Sequence, residues 1–138
     1  MRIGLLALAV GLWAGAAQAQ TITLAPTTLQ FTPSADHSAV ISVSGVPTTV
    51  PVVSSYTVTV FQGTAVVLTR DLGKPAPNAA GLIVILNSAI GGFGGLPKNI
   101  GYTATVTAVG AGGATESMPS NPFAFPGAPA AAANVVER

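Results

Sequence analysis

A strict alternation of apolar and polar side chains constrains this chain more than any other feature of its sequence. Residues 102–108 read YTATVTA, with apolar side chains at every second position and threonines between them. Successive side chains of a strand point to opposite faces, so the pattern predicts a half-buried β-strand whose threonines face solvent. Residues 56–60 repeat it, and residues 39–44 follow it more weakly.

Other short segments also favour strands over helices. The apolar run 82–86 is short, rich in β-branched residues and bounded by glycines, which predicts a strand. Shorter strands are expected at 65–69 and at 123–125, and a first strand, interrupted by Pro26, is expected over 21–24 and 28–31. No segment has a helical period. The predicted core consists of Tyr56, Val58, Val84, Tyr102 and Val106.

Seven short strands separated by turns predict an all-β chain folded as one antiparallel sandwich over residues 22–126. A length of 138 residues is typical of a single domain. The following residues, 127–138, are rich in alanine and proline and are expected to be a frayed tail or a linker.

Residues 1–19 have the pattern of a signal peptide. Arg2 precedes an apolar run too short to span a membrane, and Ala17-Gln18-Ala19 supplies small residues for cleavage after Ala19. The domain would then be residues 20–126 of a secreted or periplasmic protein that has no membrane span after cleavage. The chain has no cysteine, so its stability there would come from packing without disulfides.

The charge pattern argues against nucleic acid as a partner. Only 7% of the residues are charged, and loss of the leader with Arg2 would leave four basic and four acidic side chains. Nucleic-acid binding rests on neutralising phosphates with clustered Lys and Arg, and no basic cluster occurs.

Candidate catalytic residues are few and scattered. The single histidine lies in Asp36-His37-Ser38, and neighbours on an extended chain point to opposite faces, which favours a polar turn over a catalytic set. The remaining carboxylates are Asp71, Glu116 and Glu137, each isolated in sequence. We therefore expect no enzyme activity, no metal site and no cofactor.

The segment from Leu96 to Tyr102, followed by the alternating strand and a glycine-rich loop to Ser117, resembles the late part of a fibronectin type III domain. In that family a leucine six residues before a tyrosine forms the tyrosine corner, whose hydroxyl bonds to upstream backbone. The resemblance implies an immunoglobulin-like sandwich in which Leu96 and Tyr102 have a structural role.

Three residues are candidates for contact with a partner. Phe93 stands among four glycines at 91–95, where its ring either packs against the edge of the core or projects as a contact. As a contact, its replacement by serine would weaken binding without changing stability. Arg70 and Lys74 flank the predicted turn at 69–77.

Two functions remain open at this level. One is a non-catalytic binding or adhesion module that docks on a protein or glycan of the envelope, cell surface or matrix. The other is a structural subunit that associates with itself through sheet edges, because the chain carries little charge and the run 82–86 would be adhesive at an edge.

Overall fold

The computed structural model describes residues 21–138, so the predicted signal peptide lies outside the described residues. The described part is all-β, apart from two short 3-10 turns at Asn87–Ala89 and Phe93–Gly95. None of its helical segments is long and apolar enough to cross a membrane. Its ten strands are β1 (Thr23–Leu24), β2 (Thr28–Phe31), β3 (Val40–Val43), β4 (Val46–Pro51), β5 (Ser55–Gln62), β6 (Ala65–Gly73), β7 (Ile83–Leu86), β8 (Thr103–Gly110), β9 (Gly113–Glu116) and β10 (Phe123–Ala124).

The largest sheet has four antiparallel strands in the order β6-β5-β8-β9. The two alternating segments of the sequence lie side by side at its centre, where Val58 pairs with Val106. Tyr56, Val58 and Val60 are buried along β5, which confirms the period-two prediction for this strand. Tyr102 and Val106 are buried as well, as the sequence predicts.

Three two-stranded sheets complete the fold: β2-β7, β3-β4 and β1-β10. The β1-β10 pair is parallel, which differs from the fully antiparallel arrangement expected from the sequence. The reason is connectivity, since no tight turn joins these two strands and so none imposes an antiparallel direction.

Two strands that the sequence does not predict, β4 and β9, and the division of the first predicted strand into β1 and β2 raise the count from seven to ten. Strand β4 pairs with β3 in a hairpin. Its Ser44-Gly45 turn has positive φ at both residues, 51° and 81°, as a type I′ turn requires. In the sequence, Pro47 does not favour a strand at 46–51, because proline has no N–H to donate to a ladder. Val43 and Val46 close the two-residue turn, so the next pair, Ser42 and Pro47, directs its backbone outward, and the missing N–H costs no ladder bond.

The core consists of two clusters that share the half-buried Leu29, Leu72 and Ile85. The core prediction is wrong for Val84, which is 43% exposed, while its neighbour Ile83 is fully buried. The cause is that β7 follows the ordinary alternation of a strand with one packed face, whereas a continuous apolar run does not reveal which face is inside.

Candidate functional site

Tyr102 holds the chain immediately before β8. Its hydroxyl donates to the carbonyl oxygen of Pro97 at 2.7 Å, and Leu96 is buried in the same cluster. Burial raises the pKa of the Tyr102 phenol, because the phenolate would lose its hydration. The pair predicted from the family resemblance therefore makes packing and hydrogen-bond contacts inside the fold.

Phe93 lies in the core. Its side chain is 5% exposed, and its ring stacks parallel to Phe123 at 6.5 Å and meets Phe125 edge-on at 6.3 Å. The ring therefore packs against the core and does not project as a contact. The structure corrects the expectation of an exposed aromatic contact at Phe93, because the 3-10 turn folds the glycine segment back onto the aromatic cluster.

Arg70 and Lys74 are both exposed at the end of β6. The Arg70 guanidinium donates to the Thr69 carbonyl at 2.8 Å and lies over Gly91 and Gly92. A Cβ at Gly92 would stand 3.1 Å from Arg70 Nη2 and 2.8 Å from a Leu68 methyl, on a backbone with φ of +94°. The left-handed backbone is therefore what favours glycine at 92, since both contacting atoms are the ends of flexible side chains.

His37 is bonded to a tyrosine. Its Nδ1 lies 2.8 Å from the Tyr56 hydroxyl, the two rings stack 5.7 Å apart, and the Ser34 amide donates to the same hydroxyl at 3.2 Å. These contacts anchor the turn at 35–38 to β5. Glu116, on β9, accepts a 2.6 Å bond from the buried Thr105 hydroxyl. Within residues 21–138, no three His, Cys, Asp or Glu side chains cluster so as to hold a metal ion.

One end of the fold carries an exposed surface that we call the hairpin end, consisting of residues 40–51 and the β8-β9 turn at 110–113. The hairpin is closed at its base by a bond from the Val52 amide to Ala39 O. Ser54 fastens that base to β8, donating to Val109 O through its amide at 2.7 Å and its hydroxyl at 3.0 Å. The hairpin is thus held at its root and projects beside the β8-β9 turn.

The hairpin presents apolar side chains to solvent. Val43 and Val46 pair with each other, and Val43, Val46 and Val50 are 62%, 64% and 44% exposed. Residues 40–51 contain no charged side chain and belong to neither buried cluster. Isolated two-stranded hairpins are marginally stable in water unless something packs on them. The hairpin end is therefore an apolar surface displayed outside the core.

A second feature is a cavity of about 300 Å³ between β2 and the β1-β10 pair, which we call the β2 cleft. Thr28 and Gln30 line one side, and Phe93 and Phe123 contribute to its floor. Asn87 also lines it, less than a tenth exposed, with its side-chain amide donating to Pro26 O at 2.9 Å. Its Oδ1 is buried and accepts no hydrogen bond within the described residues.

The alternation patterns of the sequence indicate neither surface. The hairpin could have been found from Ser44-Gly45 between two valine-containing segments, a two-residue turn signal. The β2 cleft has no local sequence signal, because the residues that bound it lie up to a hundred positions apart. No family model, curated protein or solved structure matches this chain.

Proposed function

We propose that this chain is a secreted or periplasmic, non-catalytic binding or adhesion module. It has an immunoglobulin-like sandwich of fibronectin type III type and docks on a protein or glycan of the envelope, cell surface or matrix. The observation that carries the proposal is the hairpin end, an uncharged apolar surface that the core does not use. The leader at residues 1–19 supports the location.

The strand order supports the sandwich. Residues of β2 and β7, including Leu29 and Ile83, pack on Tyr56 and Val106 of the four-stranded sheet, as two facing layers would. The order β6-β5-β8-β9 fits the C′-C-F-G order of immunoglobulin-like domains, and the β2-β7 pair fits strands B and E. The bond from Tyr102 to Pro97 fits a tyrosine corner.

The position of the hairpin in the fold supports a role in recognition. With that assignment, the β3-β4 hairpin is an enlarged connection between strands B and C, and the β8-β9 turn joins F to G. In immunoglobulin-like binders these two connections lie at the end of the sandwich that carries binding loops. The contacts of Ser54 with Val109 bring them together here as well.

Polar groups that would serve catalysis have structural partners, which supports a non-catalytic role. His37 is bonded to the Tyr56 phenol, and Glu116 accepts from the Thr105 hydroxyl. Neither arrangement places a base beside an exposed nucleophile, which acid–base or nucleophilic catalysis would require.

Self-association is the second candidate function, and one observation favours it. The outer edge of β3 is unpaired within the described residues and carries neither proline nor charge, the devices that usually blunt an edge. Two copies could therefore join β3 to β3 and cover their valine faces together.

The test uses the mature chain, residues 20–138, and a doubly substituted form carrying Val43→Asp and Val46→Asp. Met118→Asp is the matched control, since Met118 is 85% exposed and lies outside the hairpin end. Each protein is immobilised and incubated with envelope and matrix fractions of the parent organism. We expect the wild type and the control to capture the same component and the hairpin variant to lose it, with unfolding midpoints unchanged.

Sizing over a concentration series separates the two functions. A wild type that stays monomeric while capturing a partner supports the binding module. Oligomers that grow with concentration and disappear in the hairpin variant support self-association. Capture that survives both aspartates, in a monomeric protein, would overturn the hairpin end as the recognition surface.

A further inference from the structure

We propose that the β2 cleft binds an extended, uncharged peptide segment of a partner protein, which adds to β2 as a third strand and inserts one apolar side chain into the cavity. The inference rests on the proposed binding function and deepens it by naming the chemistry of a partner. It uses a surface other than the hairpin end, so variants of the two surfaces test the two ideas separately.

The free backbone edge of β2 favours the addition of a strand. The Asn87 amide donates to Thr27 O at 2.8 Å, and residues of an antiparallel pair alternate between bonding their partner and facing away from it. Leu29 and Phe31 therefore bond to β7, while the backbone groups of Thr28 and Gln30 point to the outer edge. That edge has no strand partner within the described residues.

The same two residues border the cavity, so the unpaired backbone faces the open space. An extended peptide supplies alternating N–H and C=O groups that match such an edge, and its alternate side chains point toward the sheet's inner face. A compact ligand would leave most of these backbone groups unpaired. The edge therefore selects an extended main chain.

The cavity indicates what kind of side chain enters. Leu29, Phe93, Ala104 and Phe123 supply its apolar lining, and none of its lining residues is charged. Its volume of about 300 Å³ lies at the lower limit of ligand-sized clefts, which suits one large side chain. A charged side chain would lose its hydration there without an ion partner. The anchor is therefore apolar.

Asn87 supplies an independent sign that a partner is missing. Its side-chain amide donates to Pro26 O, its side chain is more than nine-tenths buried, and its Oδ1 accepts no hydrogen bond from residues 21–138. Buried acceptors are nearly always hydrogen-bonded in native structures. It lines the same cavity as Thr28 and Gln30, so the Oδ1 atom lies where a group that enters the cavity could donate to it.

The test uses blocked peptides of the sequence Thr-Val-Thr-X-Thr-Val-Thr, in which X and the two valines share one face. X is leucine, glycine or glutamate, and binding to the mature chain is followed by amide chemical shifts in NMR. We expect the leucine peptide to shift residues of β2 and to bind at least tenfold more tightly than the glycine peptide. The glutamate peptide should bind more weakly still. Equal affinity of all three peptides would overturn the anchor.

N-methylated peptides test strand addition without altering the protein. Only alternate peptide amides bond to β2, so methylation of one set should abolish binding and methylation of the other should leave it intact. If methylation of each of the two sets abolishes binding, or if methylation of neither set does, the result contradicts the added strand.

A protein variant gives the complementary test. Gln30→Pro removes an amide hydrogen that faces the cleft. Val84→Pro is the matched control, because Val84 is paired with Gln30 and turns its own amide to the opposite edge of the same two-stranded sheet. We expect similar unfolding midpoints for the two variants and loss of peptide binding only for Gln30→Pro. Equal effects on binding would overturn the proposal.

The hairpin variant with Val43→Asp and Val46→Asp should keep its affinity for the leucine peptide. If that variant loses partner capture while no peptide binds the wild type, the cleft proposal fails and the proposed function stands. If the leucine peptide binds but dissolves a dimer of this chain, the natural occupant is a second copy and the partner named here is wrong.

Discussion

The Tyr102 hydroxyl lies 2.7 Å from the carbonyl oxygen of Pro97, five residues earlier in the chain. The bond ties the connection at 97–101 to the start of β8, and β8 holds the centre of the four-stranded sheet together with β5. Tyr102 is 1% exposed, so water cannot replace the bond if the hydroxyl is removed.

Replacement of Tyr102 by phenylalanine should therefore destabilise the protein. The substitution leaves the Pro97 carbonyl without its donor, and we expect a loss of about 1–2 kcal/mol in the free energy of unfolding. Urea denaturation of a protein consisting of residues 20–138 measures this loss. Thr69→Val removes an exposed hydroxyl and serves as the control, with an expected change within about 0.5 kcal/mol. An unchanged midpoint for Tyr102→Phe would show that the bond contributes nothing.

The raised pKa of Tyr102 predicts loss of stability in alkali. The unfolded chain ionises this phenol near its ordinary value of 10.0, whereas the folded chain holds it neutral to higher pH. The contribution of the neutral phenol to the free energy of unfolding is therefore fully present below pH 10.0, and it is lost as the pH rises through the pKa of Tyr102 in the folded chain. The free energy of unfolding of the wild type, measured from pH 8 upward, should decline. The decline should be smaller in Tyr102→Phe, and equal slopes would contradict the assignment.

Phe93→Ser should damage the core. The ring packs between Phe123 and Phe125, and truncation of a buried phenylalanine costs about 3–5 kcal/mol. We expect a fall of several degrees in the thermal midpoint, measured by circular dichroism. Met118→Ser, at a side chain that is 85% exposed, should leave the midpoint unchanged. A stable Phe93→Ser protein would return this residue to the candidates for partner contact.

Gly110 and Gly112 give a matched pair in the β8-β9 turn. A Cβ at Gly110 would overlap the Val52 carbonyl oxygen, so alanine there must push the hairpin base away from β8, at a cost of about 1–3 kcal/mol. A Cβ at Gly112 meets nothing within 4 Å, and Gly112→Ala should be neutral. Denaturation of both variants measures the difference. Equal midpoints would mean that the hairpin base is free to move.

The sequence predicts the strands that have one dry and one wet face. Alternation locates β5, where buried side chains recur at every second residue. It also locates β8, but the prediction that the threonines face solvent is wrong for Thr105, which is buried and donates to Glu116. It fails at Val84, since the run 82–86 is apolar on both faces and its buried face is decided by β2. It also misses β4, because Pro47 is excluded from central strands but tolerated where its backbone faces outward.

Both candidate surfaces depend on pairings between distant segments, which explains why periodicity does not reveal them. The β2 cleft exists because β1 pairs with β10 and leaves β2 with an open edge. Thr23 and Phe123, a hundred positions apart, are neighbours in that pair. No pattern within one segment indicates which distant strand it will join.

The parallel pairing of β1 and β10 has a mechanical consequence. The Thr23 amide donates to Pro122 O at 3.0 Å, and the Ala25 amide donates to Ala124 O at 2.8 Å. A pull on the chain before β1, opposed by a pull after β10, would slide the two strands along each other and load both bonds at once. In an antiparallel pair the same pull would peel the strands apart one bond at a time. Because the two strands run parallel, the domain would therefore resist tension through shear of this two-residue pair.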